Sequence, residues 1–293
     1  MTAPDAYPFE GRFVEHAGGI RQHVLDEGPR DAPVVLLLHG NPTWSFYWRR
    51  LVLELRADHR VIVPDHVGCG LSDKPGRDAY PYSLARRVAD VQTVLDALDV
   101  RGPLTLGVHD WGGMIGFAWA VRNAERVVRT IVTNTAAFPM PATKRFPWQI
   151  AACRAPVVGD VLTRGLNAFV ETLVRRCTVT PLPGPVADMY RRPYDSWRNR
   201  VAVLEFVRTI PLRDGDPGMD IVRATADRLH LLADEPMLLC WGERDFVFDH
   251  HFRAEWERRF PAARVHRFED AGHLVLEDRG DTVAGLVRGF LTA

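Results

Sequence analysis

The chain has 293 residues, 46% of them hydrophobic and 25% charged, with 37 basic and 37 acidic side chains. That even balance lacks the basic footprint of a general nucleic-acid binder, and no apolar run reaches the roughly 20 residues needed to cross a bilayer. The four cysteines (Cys69, Cys153, Cys177, Cys240) are scattered without metal-ligand spacing, so buried reduced thiols, no metal and no cofactor are expected.

The first fifteen residues have neither a basic start nor an apolar core, so no signal peptide is expected. The chain then reads as a cytoplasmic protein whose membrane association is at most peripheral. Residues 12–16 and 22–26 look like two strands turning at Gly18-Gly19. Val34-Val35-Leu36-Leu37-Leu38 is continuously apolar, as a strand buried on both faces should be. It ends in His39-Gly40-Asn41-Pro42, and a helix with Leu51, Leu53 and Leu55 near its end follows. Arg60-Val61-Ile62-Val63-Pro64 is the next strand, and Ser83 caps a helix through Val88, Val91, Leu95 and Leu98.

The stretch from Leu104 to Gly116 organises the chain. An apolar strand passes through His109-Asp110-Trp111 into Gly112-Gly113 and then a helical pattern of Ile115, Phe117, Trp119 and Val121. Strand, sharp turn and helix with one reactive residue at the turn is the layout of a nucleophile elbow. The central residue is Asp110, a carboxylate that is already an anion at neutral pH and can attack carbon without a base to activate it. Gly112 supplies one close-packing small residue, whereas Val108 stands where a second is expected. The bland alternative is that Asp110 merely caps the helix.

Another strand, 127–133, leads into Asn134-Thr135-Ala136-Ala137-Phe138-Pro139. Beyond it, strand patterns stop until Met237, and proline-punctuated helical segments read as an inserted cap. The strand from Met237 ends at Gly242-Glu243-Arg244-Asp245. A last strand, 264–268, precedes Asp270-Ala271-Gly272-His273, and a closing helix holds Val283, Leu286, Val287 and Phe290. Alternating apolar strands and amphipathic helices imply an α/β fold: a mostly parallel central sheet with helices on both faces. The expected core is 1–137 with 226–293, and the helical cap is 138–225. In such sheets the site lies beyond the carboxyl ends of the strands, where His39, Asn41, Asp110, Trp111, Asn134, Asp245 and His273 all fall.

The order nucleophile, acid, histidine is that of the α/β-hydrolase fold. His39-Gly40-Asn41-Pro42-Thr43 with His109-Asp110-Trp111-Gly112-Gly113 resembles the haloalkane dehalogenase family over nearly the whole chain. The resemblance is closest to the third subfamily, which contains the cis-β-lactone decarboxylases of bacterial long-chain olefin biosynthesis. It extends through Val63-Pro64-Asp65-His66, 133–139 and the cap segment Pro193-Tyr194-Asp195-Ser196-Trp197. It implies Asp110 as nucleophile and His273 as the base that activates water. Asn41 and Trp111 would be the donors to the leaving halide or substrate oxygen, with their backbone N–H groups as oxyanion hole. The acid that orients the histidine follows strand six or strand seven in this family. Residues 134–138 hold no carboxylate, so Asp245 is assigned, with Asp249 as competitor.

The activity implied is conversion of cis-3,4-dialkyl-β-lactones to olefin and CO₂, or alternatively hydrolysis of carbon–halogen bonds through an alkyl-enzyme ester. An epoxide hydrolase would require the cap tyrosines Tyr190 and Tyr194 to protonate an epoxide, and Asn41 argues against it. A ligand receptor on an inactive hydrolase fold is opposed by the complete residue set. The substrate is expected to be an apolar small molecule, with Phe146, Trp148, Phe169, Trp197 and Phe206 of the cap receiving its alkyl chains. Ten arginines of the cap between 145 and 208 (Arg145, Arg154, Arg164, Arg175, Arg176, Arg191, Arg192, Arg198, Arg200, Arg208) against five acids in the same stretch suggest a docking face. The partner implied by the resemblance is a β-lactone synthetase.

Overall fold

The computed structural model describes residues 7–292. The first six residues of the N-terminal segment, and with them the outer limits 1 and 293 of the expected core, lie outside it. In chain order the elements are β1 (Arg12–His16), β2 (Ile20–Glu27), β3 (Val34–Leu38), α1 (Arg49–Leu55), β4 (Arg60–Pro64), α2 (Leu84–Ala97), β5 (Leu104–Asp110), α3 (Trp111–Ala120) and β6 (Val127–Thr135). A wholly helical stretch follows: α4 (Trp148–Arg154), α5 (Ala168–Arg176), α6 (Gly184–Arg191), α7 (Val201–Arg208) and α8 (Met219–Arg228). The chain closes with β7 (Met237–Gly242), α9 (His250–Arg259), β8 (Arg264–Phe268), α10 (Val275–Asp278) and α11 (Gly280–Thr292).

The eight strands form one sheet in the order β1-β2-β4-β3-β5-β6-β7-β8. β2 runs antiparallel to both its neighbours, and β3 to β8 are mutually parallel. Side chains alternate along the strands. Leu36, Leu38, Leu106 and Val108 join the core under α2 and α3, while Val35, Leu37, Val61 and Val63 join the core under α1 and α11. Both faces are therefore covered, which is why these strands read as unbroken apolar runs. Ser83 caps α2 as expected, its hydroxyl accepting from the Arg86 N–H. The expected cap limit at 225 falls inside α8, whose Val222 and Ala226 belong to the core shared with α3.

Chain direction across the sheet reverses at β3. The chain leaves it for β4 on one side and returns to β5 on the other. This is the switch point at which open α/β sheets leave a crevice, and it sets the loop after β3 against the end of β5. Among the described residues no helix is long and apolar enough to cross a membrane.

Candidate active site

The turn from β5 into α3 is tight enough to hold Asp110 at φ 52°, ψ −124°, a backbone region that costs a non-glycine residue roughly 1–3 kcal/mol. The glycines around it permit this. A Cβ at Gly112 would overlap the carbonyl oxygen of Leu38, and one at Gly40 would overlap the Asp110 carboxylate. The absent small residue at 108 is compensated from the helix: the Val108 Cγ1 packs where a Cβ at Gly116 would stand only 2.9 Å away. The capping alternative fails, because the Asp110 carboxylate makes no cap hydrogen bond to α3 beyond the N–H of its own neighbour Trp111. Its Oδ1 accepts from the Asn41 N–H at 2.6 Å, and the Trp111 N–H also stabilises the anion.

The three expected residues converge. His273 Nε2 lies 3.7 Å from Asp110 Oδ2, and its Nδ1 donates to Asp245 Oδ2 at 2.7 Å. Asp245 is fully committed: Oδ1 accepts from the Val247 N–H at 2.7 Å and Oδ2 from Asn134 Nδ2 at 3.1 Å. Asn134, expected just after strand six and without a role, stands inside β6, which extends to Thr135. Its amide also takes the Gly242 N–H at 2.8 Å and donates to the Gly242 carbonyl, so it clamps the end of β7 and presents Asp245 to the histidine. His273 Nδ1 donates to Asp245 and not to Asp249. Asp249 caps α9 through the His251 N–H and pairs with Lys144 Nζ at 2.7 Å. Lys144, which sequence reasoning passed over, donates also to the Phe246 carbonyl at 2.9 Å, tying the cap to the loop that carries Asp245.

Electrostatics follow from burial. Burial raises the Asp110 pKa, partly offset by His273 and the two backbone donors. Burial alone would lower that of His273, but Asp245 and Asp110 outweigh it and the net shift is upward. His109 lies beside His273, ring centroids 4.6 Å apart, and burial drives its pKa well below the ordinary value. Because a carbonyl only accepts, the contact of His109 Nε2 with the His273 carbonyl (3.0 Å) places the His109 proton on Nε2. The loop after β3 is locked similarly: the His66 N–H donates to His39 Nε2 at 2.9 Å and His66 Nε2 to the His39 carbonyl at 2.8 Å. Buried Asp65 accepts from the Ser45 and Leu71 N–H groups, which explains the motif around it as scaffolding.

Asp110, His273, Asn41 and Trp111 open into a cavity with about 1150 Å³ of empty space, its mouth included. Its wall is mostly apolar, with Met114, Phe138, Met140, Phe146, Phe169 and Phe248 among the lining residues. Only Phe146 and Phe169 of the five expected cap aromatics line it. Trp148 (74% exposed) and Trp197 (49% exposed) face solvent, and Phe206 is buried behind Trp111. The two cap tyrosines do not line it either: Tyr190 Oη donates to Glu277 at 2.5 Å, and Tyr194 Oη points to the Thr43 carbonyl. They are not placed to protonate an epoxide. Several cap arginines are spent internally, Arg154 on Asp216, Arg164 and Arg208 on Asp160, and Arg175 and Arg191 on Glu171.

A carboxylate at a strand–helix elbow, a histidine beyond the last strand and an acid beyond the seventh occupy the nucleophile, histidine and acid positions of an α/β hydrolase. Residues 33–280 match the model of the alpha/beta hydrolase fold family. The chain belongs to that family and, within it, to the group formed by the haloalkane dehalogenases and the cis-3-alkyl-4-alkyloxetan-2-one decarboxylases. It is 44% identical to a cis-3-alkyl-4-alkyloxetan-2-one decarboxylase of Shewanella oneidensis, over 97% of this chain and 89% of the relative. It is 43% identical to one from Xanthomonas campestris pv. campestris, over 99% and 98%. A haloalkane dehalogenase of Mycobacterium marinum is 33% identical over 97% of each chain. Among solved structures, the haloalkane dehalogenase DatA from Agrobacterium tumefaciens C58 superposes with a TM-score of 0.85 at 26% identity, covering 97% of this chain and 96% of that one.

Proposed function

We propose that the protein is a lyase of olefin biosynthesis that converts cis-3,4-dialkyl-β-lactones to olefin and CO₂. The observation that carries this reading over dehalogenation is the near-full-length identity of 43–44% to two oxetanone decarboxylases against 33% to the dehalogenase. The apolar cavity above a buried carboxylate supports it.

In the mechanism we propose, Asn41 holds Asp110 Oδ1 and leaves Oδ2 to attack C4 of the ring. The Oδ2–C4 bond forms, the C4–O bond breaks, and the ring oxygen leaves as part of a carboxylate on C3. The side-chain N–H groups of Asn41 and Trp111 would receive that charge, and one such preorganised donor is typically worth about 10²–10³ in rate. The C3–carboxylate electron pair then becomes the C3=C4 double bond as C4–Oδ2 breaks. CO₂ departs and Asp110 is regenerated without water.

The dehalogenase reading draws on one observation, the placement of His273. Held by Asp245 on Nδ1, neutral His273 presents its Nε2 lone pair beside Asp110. There it can activate water against an alkyl-Asp110 ester, with the Asn41 and Trp111 backbone N–H groups on the developing oxyanion. Parallel assays with a long-chain cis-β-lactone and with 1,2-dibromoethane test the two readings. Olefin formation should exceed halide release in kcat/KM by orders of magnitude, and the reverse order would make the protein a dehalogenase.

The same reading includes docking of a β-lactone synthetase on the exposed cap arginines that have no ion pair among the described residues, such as Arg176 and Arg192. Co-purification should weaken with salt and with Arg176→Glu/Arg192→Glu. Indifference to both would leave the arginines as a solvated face.

A further inference from the structure

Arg87 is a buried cation whose charge the structure leaves largely without a partner. It sits on the inner face of α2, 1% exposed, and forms no ion pair among the described residues. Its one hydrogen bond is from Nη1 to Thr209 Oγ1 at 3.3 Å, while Nε and Nη2 have no partner. Glu205, whose charge acts on it, is already held by Arg77 at 2.6 Å. A buried guanidinium without a counter-ion is costly, and α2 has no architectural need of it, since the apolar partners Leu84, Val88 and Val91 fill the same face.

What Arg87 does touch is aromatic. Its Cζ lies 3.6 Å from the ring centroid of Phe206 and 5.4 Å from that of Trp111, and those two rings are 5.2 Å apart. Of the three, only Trp111 lines the cavity. The cation therefore stands directly behind the indole that faces the substrate. A cation within about 6 Å of an aromatic ring is attracted to its electron-rich face, more strongly when desolvated. By the same attraction it draws electron density out of the indole, leaving its N–H a stronger donor. Its own charge, buried and without a direct ion pair among the described residues, also acts through a low-dielectric interior on any anion in front of the ring.

We propose that Arg87 is a positioning residue for the leaving group, an uncompensated cation kept behind Trp111 to stabilise the anion that forms against the indole N–H. This rests on the reading of Trp111 as a donor to the departing carboxylate or halide. It assigns Arg87 no contact with substrate and no proton transfer. It also explains why the protein tolerates an unpaired charge at that spot. Sites serving function are where local rules of stability are broken.

The test uses bromide as a probe anion, with affinity read from tryptophan fluorescence and from inhibition of turnover, in the full-length protein. Arg87→Met keeps volume without charge, and Arg87→Gln keeps a hydrogen-bonding amide without charge. Both should bind bromide about tenfold more weakly, lower kcat for lactone ring opening by a similar factor, leave KM for the apolar substrate within about twofold, and melt no lower than the wild type. Arg87→Lys, which restores charge alone, should recover bromide affinity in part. Unchanged bromide affinity in folded Arg87→Met and Arg87→Gln would overturn the proposal. So would failure of both neutral variants to fold, because the charge would then be structural. Trp111→Phe separates the two levels of the reading. If bromide binding survives it, the assignment of Trp111 is wrong. If Trp111→Phe abolishes binding while Arg87→Met does not weaken it, only the role of Arg87 falls.

Discussion

Replacing Asp245 by Asn removes one charge and leaves the shape, and the surroundings of the carboxylate dictate the outcome. Both oxygens are acceptors in use, Oδ2 from His273 Nδ1 and Asn134 Nδ2, and Oδ1 from the Val247 N–H. An amide must put NH₂ against one of these sets. With NH₂ on the Oδ1 side it faces the Val247 N–H, and a buried donor left unsatisfied costs about 1–3 kcal/mol. With NH₂ on the Oδ2 side it faces the imidazole, which then turns its protonated nitrogen toward Asp110 and loses its basic lone pair there. In serine triads the equivalent change lowers kcat about 10⁴-fold. We therefore expect Asp245→Asn to lower steady-state hydrolysis of 1,2-dibromoethane by about 10²–10⁴-fold while the first-turnover burst of bromide survives. Asp249→Asn should stay within about threefold, since Asn caps a helix as well as Asp. Stopped-flow bromide release beside steady-state turnover reads both. An Asp245→Asn enzyme retaining more than about a tenth of wild-type kcat, with Asp249→Asn the damaged one, would refute the assignment.

The remaining expectations concern the base, its titration and the elbow. His273→Phe should accumulate an alkyl adduct on Asp110 with 1,2-dibromoethane, visible by intact mass. It should keep measurable olefin formation from the β-lactone, because that route consumes no water. The acid limb of the dibromoethane kcat profile should lie above the ordinary histidine pKa of about 6.5, because the base form is needed and the Asp245 carboxylate holds the proton on His273, Asp110 being an uncharged ester at that step. Removing the Asp245 charge should move that limb to lower pH. Gly112→Ala drives a Cβ into the Leu38 main chain, which cannot swing aside, so its melting temperature should fall by more than the about 1–3 kcal/mol of ordinary overpacking implies. Gly76→Ala, with open space around it, should melt like the wild type.

The strand runs and the elbow were legible in sequence because they are local: five or more consecutive apolar residues, then a polar triplet and paired glycines. Asp110, His273 and Asp245 could be read from their positions after strands, since a parallel sheet brings those ends together whatever the loops do. Asn134 could not, because its value comes from a side-chain amide that reaches across from β6 to the Gly242 main chain at the end of β7, from a position of positive φ that no spacing rule marks. Lys144, one of only two lysines in the chain, acts across a cap-to-core gap that no spacing rule predicts. The cap aromatics were misjudged for a related reason. Composition shows that a helix is aromatic, but which face meets the cavity depends on how α4, α5 and α7 settle on the sheet, and Trp148 and Trp197 ended outside. Arg87 looks like an ordinary helix-surface arginine until α7 covers it with Phe206.

The central claim is that Asp110 attacks the substrate carbon and is regenerated. It is tested most directly by quenching the wild-type enzyme during a single turnover of a cis-3,4-dialkyl-β-lactone and mapping the adduct by mass. The account predicts an adduct carrying the mass of the whole lactone on the peptide containing Asp110, formed and lost at rates matching olefin appearance, with neither adduct nor olefin from Asp110→Asn. An adduct on another residue, or olefin formed by Asp110→Asn at the wild-type rate, would contradict it.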